Sequence, residues 1–151
     1  MTTQEAIDLV ADRLVAQIEG IPHESDDDPV KAYKWAASPG AGFDSVPAAV
    51  VQIPKIRRTG IEEAESQLGR LDLNLRFEVF FVFDASDVTY TMPQSVATVA
   101  AFIDAIDGDI TLSGSAEEAK VTEADPRNVE TAGGNRPLFG YACSVDVLVL
   151  I

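Results

Sequence analysis

Apolar side chains recur at every second position along two long stretches of this chain. Every second position is apolar from Leu71 to Phe83, and again from Phe139 to Ile151. Successive side chains of a strand point to opposite faces, so this alternation predicts two long β-strands that each bury one face. Phe80 and Val82 make the end of the first strand apolar on both faces, and we expect that end to be buried on both sides. The second strand is expected to be central to the fold.

Two further stretches have the spacing of amphipathic helices. Residues 3–19 carry an apolar stripe on one side, and Thr2 with Glu5 forms a capping box at its start. Residues 92–107 carry a second stripe, with a capping box from Thr91 to Gln94 and Pro93 in the first turn. Glycines follow both stretches, so the pattern predicts two helices that each pack by one side.

Shorter segments predict additional strands. Residues 46–56 are largely apolar but include Pro54, which has no amide hydrogen to donate, so we expect an edge strand or a bulge there. Residues 30–37 fit either a short helix or an edge strand on which Tyr33 and Trp35 share a face. Residues 117–130 predict a weaker strand interrupted at Asp125 and Pro126.

These elements together predict one α+β domain over residues 1–151. We expect a mainly antiparallel sheet of about four strands, with two amphipathic helices packed on one of its faces. Two polar segments interrupt the pattern: an acidic loop at residues 23–29 and a flap at residues 57–69 that joins two strands. Both are expected to lie outside the core.

The charge of the chain narrows the classes of function. Twenty-five Asp and Glu residues oppose 11 Lys and Arg residues, for a formal net charge of −14. Binding nucleic acid through its phosphates requires concentrated Lys and Arg, and here Arg57 and Arg58 form a pair rather than a patch. No apolar run approaches the roughly 20 residues of a membrane-spanning helix. The N-terminal segment lacks the basic and apolar regions of a secretory signal, so we expect synthesis in the cytoplasm.

Residues that commonly carry catalysis are scarce. His23 is the single histidine and Cys143 the single cysteine, and we expect an exposed loop histidine and a buried, unreactive thiol. The acidic loop has oxygen ligands for a hard cation, but its spacing does not match an EF-hand, which favours a solvated loop. Four carboxylates on predicted elements are placed as a hydrolase site would need, but each also fits a solvated face, which we favour: Asp72, Glu78, Asp104 and Asp146. We expect no enzymatic activity, no cofactor and no metal.

The order of elements resembles that of the tail terminator proteins of long-tailed bacteriophages. Residues 71–107 and 137–151 carry most of the resemblance, together with the N-terminal helix and the Pro-containing strand that precedes the flap. The resemblance implies an α+β subunit of a homo-hexameric ring that caps the tail tube and stops its polymerisation. It also implies a structural virion protein in the tail or neck, assembled in the host cytoplasm. Its partners would be itself, the tail tube protein and the head–tail connector proteins.

The same resemblance assigns a contact with neighbouring subunits or with the tube to the flap. Its candidate residues are Arg57, Arg58, Ile61, Glu62, Glu63 and Leu68. Six subunits of −14 each would sum to about −84, so DNA would pass through the ring without specific binding. Two alternatives stay open: another ring protein of the head–tail connector or head-completion type, and a small bacterial partner-binding or ligand-binding α+β module.

Overall fold

The computed structural model describes residues 1–21, 30–35, 47–58, 72–84, 88–129 and 138–150. These residues form two helices and six strands in the order α1 (Thr3–Glu19), β1 (Lys31–Lys34), β2 (Ala48–Val51), β3 (Lys55–Arg58), β4 (Asp72–Asp84), α2 (Val88–Asp107), β5 (Glu118–Val129) and β6 (Leu138–Leu150). Within these ranges, neither helix is long and apolar enough to cross a membrane. The predicted α+β class is confirmed.

The six strands form one sheet in the order β1-β2-β4-β6-β5, with β3 pairing alongside β2 on the same edge of β4. β4 and β6 pair antiparallel over 13 residues, so the two strands with the clearest alternation are neighbours at the centre. The prediction of about four strands is too low, and β1 pairs with β2 in parallel rather than antiparallel. β1, β2 and β3 each have four residues, which is too short for alternation to separate them.

A bulge separates β2 from β3 at Pro54. β2 pairs with residues 79–82 of β4 and β3 pairs with residues 73–76, so residues 52–54 face only residues 77 and 78. One extra residue on one strand is the definition of a β-bulge, and it removes the need for an amide hydrogen at Pro54. The predicted bulge at this proline is therefore confirmed.

Both helices cover the same face of the sheet, as predicted. The buried side of α1 and the odd-numbered residues of β4 and β6 belong to one apolar core, which also contains Phe102 of α2. α1 has the predicted bounds, and its capping box joins the Thr2 amide to Glu5 Oε2 at 2.7 Å and the Glu5 amide to Thr2 Oγ1 at 3.1 Å. Hydrogen bonding of the Glu5 carboxyl to the Thr2 backbone, and then to the Thr2 side chain, lowers the pKa of this carboxyl.

The second helix begins earlier than predicted. It starts at Val88 rather than near residue 92, so Pro93 lies inside the helix and the capping box at Thr91 is wrong. The first four amides of a helix have no intrahelical partner, which is why a proline in the first turn is the usual indication of a helix start. Pro93 is the sixth residue here, beyond that range.

The strand β5 is interrupted at a different place from the one predicted. It runs without a break through Asp125 and Pro126, and its register shifts instead between Val121 and Glu123, around Thr122. Among the described strands β5 pairs only with β6, so it is an edge strand, where a proline is tolerated.

Residues 30–37 are predicted to form either a short helix or an edge strand, and residues 31–34 form an edge strand. Tyr33 and Trp35 do not share a face, however. Tyr33 pairs with Val50, on the face opposite the helices. Trp35 has a φ of +62°, which ends the alternation and lets its ring stack on Phe77 at 6.4 Å in the core. The regular spacing therefore fails at one strained backbone position.

One end of the sheet is buried on both faces, as the pattern of β4 predicts. Val82 is fully buried although it faces away from the helices, and so are Ala48 and Val50 on the neighbouring strand β2. The other end of this face is polar and open to solvent. The acidic loop at residues 23–29 and residues 59–69 of the flap lie outside the described residues, but pairing of β3 with β4 makes residues 59–71 a hairpin connection.

A substitution in the core should lower the free energy of unfolding much more than one at the surface. The ring of Phe81 is fully buried and meets Phe102 edge-on at 5.3 Å, so we expect Phe81→Ala to cost about 3–5 kcal/mol of unfolding free energy. Ile53 is 77% exposed, and Ile53→Ala should change stability by less than about 0.5 kcal/mol. Urea denaturation measures both, and equal losses would contradict this division between core and surface.

Candidate functional site

The open end of the sheet carries two rows of side chains that cross four strands and are polar except for one leucine. The strand register aligns Arg57 and Lys55 of β3 with Asn74 and Arg76 of β4. β6 and β5 extend these rows. The first row is Arg57, Asn74, Leu148 and Glu118, and the second is Lys55, Arg76, Asp146 and Lys120. Residues that are far apart in the chain thus meet on one surface.

These rows line a groove of about 740 Å³, which we call the basic groove. Its charged lining consists of five cations and two carboxylates: Lys55, Arg57, Arg58, Arg76 and Lys120 with Glu118 and Asp146. The chain thus places five of its 11 Lys and Arg residues here, but only two of its 25 Asp and Glu residues. The groove is therefore positive on a strongly acidic protein, and Arg57 and Arg58 belong to a patch rather than an isolated pair.

Arg76 is held in the floor of the groove by Asp146. Its Nε lies 2.9 Å from Asp146 Oδ1 and its Nη2 lies 3.3 Å from Oδ2, a two-pronged hydrogen-bonded ion pair. This contact raises the pKa of the Arg76 guanidinium, chiefly through the hydrogen bond. Both side chains are about half exposed, so the pair orients the guanidinium more than it stabilises the fold.

Within the described residues, the other groove cations have no such partner. Among the described residues, no carboxylate forms an ion pair with Lys55, Arg57 or Lys120. All four residues of β3 are exposed, and within the described chain no strand pairs with its outer side. The β3 side of the groove can therefore receive an anionic group from another molecule.

Carboxylates collect on β5 beyond the bulge. Glu123 and Asp125 face the same open surface, and Glu78 lies nearby, accepting a hydrogen bond of 2.9 Å from the Ser144 hydroxyl. A hydrogen bond with Asp125, together with repulsion from Asp125 and Glu78, raises the pKa of the Glu123 carboxyl. We call Glu123 and Asp125 the acidic edge. Crowded carboxylates of this kind are stabilised by an approaching cation.

Cys143 lies in the core, as predicted. Its side chain is fully buried, and desolvation, with a smaller contribution from Glu78, raises the pKa of the thiol to about 12.

Among the described residues, no group of three His, Cys, Asp or Glu side chains is placed to hold a metal ion. Asp104 is exposed on α2 and belongs to neither the basic groove nor the acidic edge.

Two of the six predicted contact residues lie among the described residues, and the structure adds further residues to the same surface. Arg57 and Arg58 line the basic groove, whereas Ile61, Glu62, Glu63 and Leu68 lie outside the described residues, as does His23. Sequence reasoning missed Lys55, Arg76 and Lys120 as members of one surface. Polar positions at alternate residues of β3 and β4 indicated that these side chains share a face, but only the register places them opposite each other.

Comparison with models of known protein families gives no match for this chain. Comparison with curated proteins gives no match either. The case for a function therefore rests on the sequence pattern and on the geometry of the open face.

The Cys143 thiol should resist modification in the folded protein. With a pKa of about 12, only about one thiol in ten thousand is ionised at pH 8, and burial blocks access to it. We expect Ellman's reagent to leave the native chain unmodified and to detect one thiol per chain in urea. Rapid reaction without denaturant would contradict the burial of this side chain.

Proposed function

We propose that the chain is a structural subunit that assembles into a homo-hexameric ring and acts as a phage tail terminator. The ring caps the tail tube, stops its polymerisation and joins the tail to the head connector. The observation that carries the proposal is an α+β sheet with open edges of unlike charge, a cationic β3 and a carboxylate-bearing β5. Open strand edges are surfaces on which a second chain can dock.

The hairpin formed by β3 and β4 supports this assignment. It presents residues 59–71 at one end of the sheet, beside the basic groove, because Arg58 pairs with Leu73 at the base of the connection. In this proposal the segment contacts the tail tube or a neighbouring subunit. The predicted contact residues Ile61, Glu62, Glu63 and Leu68 belong to this connection.

The charge of the chain fits a conduit for DNA. A ring of six copies carries about −84, and a negative lining repels duplex DNA instead of holding it. In this proposal the groove cations serve contacts between subunits, and DNA passes through without specific binding. The protein acts in the virion, at the tail or neck, after assembly in the host cytoplasm, and it needs no cofactor.

A second candidate function follows from the basic groove alone. A groove with five cations and two carboxylates also suits a module that binds an acidic partner while remaining a monomer. A head–tail connector ring is the nearest alternative within the virion. Mass distinguishes the monomeric module from both rings, and binding to tail tubes distinguishes a terminator from a connector.

Native mass spectrometry tests the ring directly. Six chains of 16.2 kDa give about 97 kDa, and we expect this species together with ring-shaped particles in negative-stain electron microscopy. Added to polymerising tail tubes, the ring should bind one end and stop elongation. A strict monomer at all concentrations would contradict the proposal, and binding to heads but not to tubes would favour the connector.

Shortening the hairpin connection should abolish assembly without unfolding the domain. Replacing residues 60–68 by two glycines changes no described residue of β3, β4 or the core, so we expect an unchanged urea midpoint and loss of the ring. Sedimentation velocity and urea denaturation measure the two properties separately. If the shortened chain unfolds, the connection belongs to the core and its assigned role is wrong.

A further inference from the structure

The two open edges on the groove side of the sheet differ in charge: β3 is cationic, whereas β5 carries three carboxylates against two cations, Lys120 and Arg127. On β3, Lys55, Arg57 and Arg58 make three of four residues cationic, and all four are exposed. On β5, the acidic edge places Glu123 and Asp125 on the same open face. Within the described residues, neither strand pairs with anything on its outer side. The molecule therefore carries both halves of an ionic contact and cannot bring them together within one copy, because β4 and β6 lie between them.

The third open edge of the sheet differs from these two. β1 also carries two lysines, but Lys34 lies 3.0 Å from Asp12 and 3.4 Å from Asp8 of α1. Lys31 stands over the ring of Tyr33, with its amine 5.5 Å from the ring centre. Both cations of β1 thus have partners in their own chain, whereas the cations of β3 form no ion pair in the described part of the chain. This difference selects β3 as the cationic half of a contact.

We propose that the acidic edge of one copy docks on the β3 side of the basic groove of the next copy, with Glu123 and Asp125 facing Lys55 and Arg57. This inference rests on the proposed function, because it assigns one interface of the proposed ring. The partner is a second copy of this chain, and the contact is electrostatic in character.

The spacing of the charges on the two strands matches. Lys55 and Arg57 are two residues apart on β3, and Glu123 and Asp125 are two residues apart on β5, which is about 6.6 Å along each strand. Opposite charges on facing strands at the same spacing form favourable cross-strand pairs. A cation from a second copy would also relieve the repulsion between the carboxylates that raises the pKa of Glu123.

Apolar surface next to β3 adds to this contact. Ile53, in the bulge between β2 and β3, is 77% exposed. Ile56 is 50% exposed as well, but it pairs with the buried Leu75 and therefore lies on the helix side of the sheet. Large apolar side chains surrounded by charged ones are common in subunit interfaces, where they lose water on association. In the proposed contact charge sets the alignment, and Ile53 beside β3 adds apolar burial.

The contact joins two different surfaces and is therefore heterologous. Each copy offers one β3 edge and one β5 edge, so every copy contacts two neighbours through the same pair of surfaces. Repetition of such a contact produces a closed ring when the rotation between copies closes. The proposed hexamer needs this type of contact, and a two-fold dimer would not use it.

A charge-swap experiment on the full-length chain tests the interface. The variant K55E/R57E reverses the groove side, and the variant E123K/D125K reverses the acidic edge. Each change from Lys or Arg to Glu lowers the net charge by two, so the first variant carries −18. Each change from Asp or Glu to Lys raises the net charge by two, so the second variant carries −10. R13E/K31E also carries −18 and changes exposed residues outside the groove, so it is the matched control.

We expect each reversed variant to lose self-association by at least about tenfold in sedimentation velocity, while the control assembles like the parent chain. An equimolar mixture of the two reversed variants should recover the parent assembly, because each acidic surface then meets a basic one. Recovery by mixing has no explanation in a purely structural role for these residues. E123K/D125K carries less negative charge than the parent chain, and weaker repulsion between copies would by itself strengthen self-association. A loss of self-association in this variant therefore cannot come from net charge alone.

The outcomes distinguish the interface from the proposed function. If the parent chain forms rings and both reversed variants also form them, the ring stands and this interface is wrong. Reversed variants that stay monomeric when mixed, although circular dichroism shows them folded, overturn the interface as well. If either variant unfolds, K55Q/R57Q and E123Q/D125N provide the same comparison without charge reversal. A parent chain that is monomeric at every concentration, or that binds a polyglutamate peptide in the groove instead of a second copy, overturns both.

Discussion

The pairing of β4 with β6 is the constraint on which the rest of the structure depends. Thirteen consecutive residue pairs, from Asp72 with Leu150 to Asp84 with Leu138, align two strands that are both apolar at every second position. Because the two alternations are in phase, one face of the pair is continuously apolar and the other is polar at one end. A slip of one residue would turn the core-facing side chains of one strand to the open face. The same register therefore defines both the face that carries the helices and the open face.

The apolar face accounts for the helices, and the polar face accounts for the distribution of charge. α1 and α2 both pack on the odd-numbered residues of the central pair, which leaves the opposite face without a helical cover. β3 and β5 extend that uncovered face and place cations on one side and carboxylates on the other. The net charge of −14 is therefore unevenly distributed over the surface. The basic groove is positive where the rest of the protein is acidic, and it is the surface on which the proposed contact between copies depends.

Much of this fold is predictable from local signals. The capping box of Thr2 and Glu5 and the stop at Gly20 define α1 at both ends, and alternation predicts the two central strands to within a residue. Signals that depend on tertiary context fail. The left-handed backbone at Trp35 sends its ring into the core, and the start of α2 lies before the proline that usually indicates it. Such positions are decided by packing rather than by local propensity.

The candidate site was harder to predict because it depends on register. Two bulges, at residues 52–54 and at Thr122, each shift the pairing by one position, and no local pattern specifies the size of such a shift. The composition of the flap predicts Arg57 and Arg58 as contact residues. Lys55, Arg76 and Lys120 come to lie on the same surface only through the register of the strands. The acidic edge likewise depends on the bulge at Thr122, after which Glu123 faces the open side.

Zero-length carbodiimide cross-linking of an equal mixture of ¹⁴N-labelled and ¹⁵N-labelled chains tests the central claim most directly. The reagent joins an amine to a carboxylate in contact, so we expect Lys55 to be linked to Glu123 or Asp125 in peptides that combine both isotopes. Lys34 and Asp12, which lie 3.0 Å apart within one chain, provide an internal control that should appear only in single-isotope peptides. If assembled protein yields the Lys34–Asp12 link but no mixed-isotope link from Lys55, the subunits do not meet through these edges.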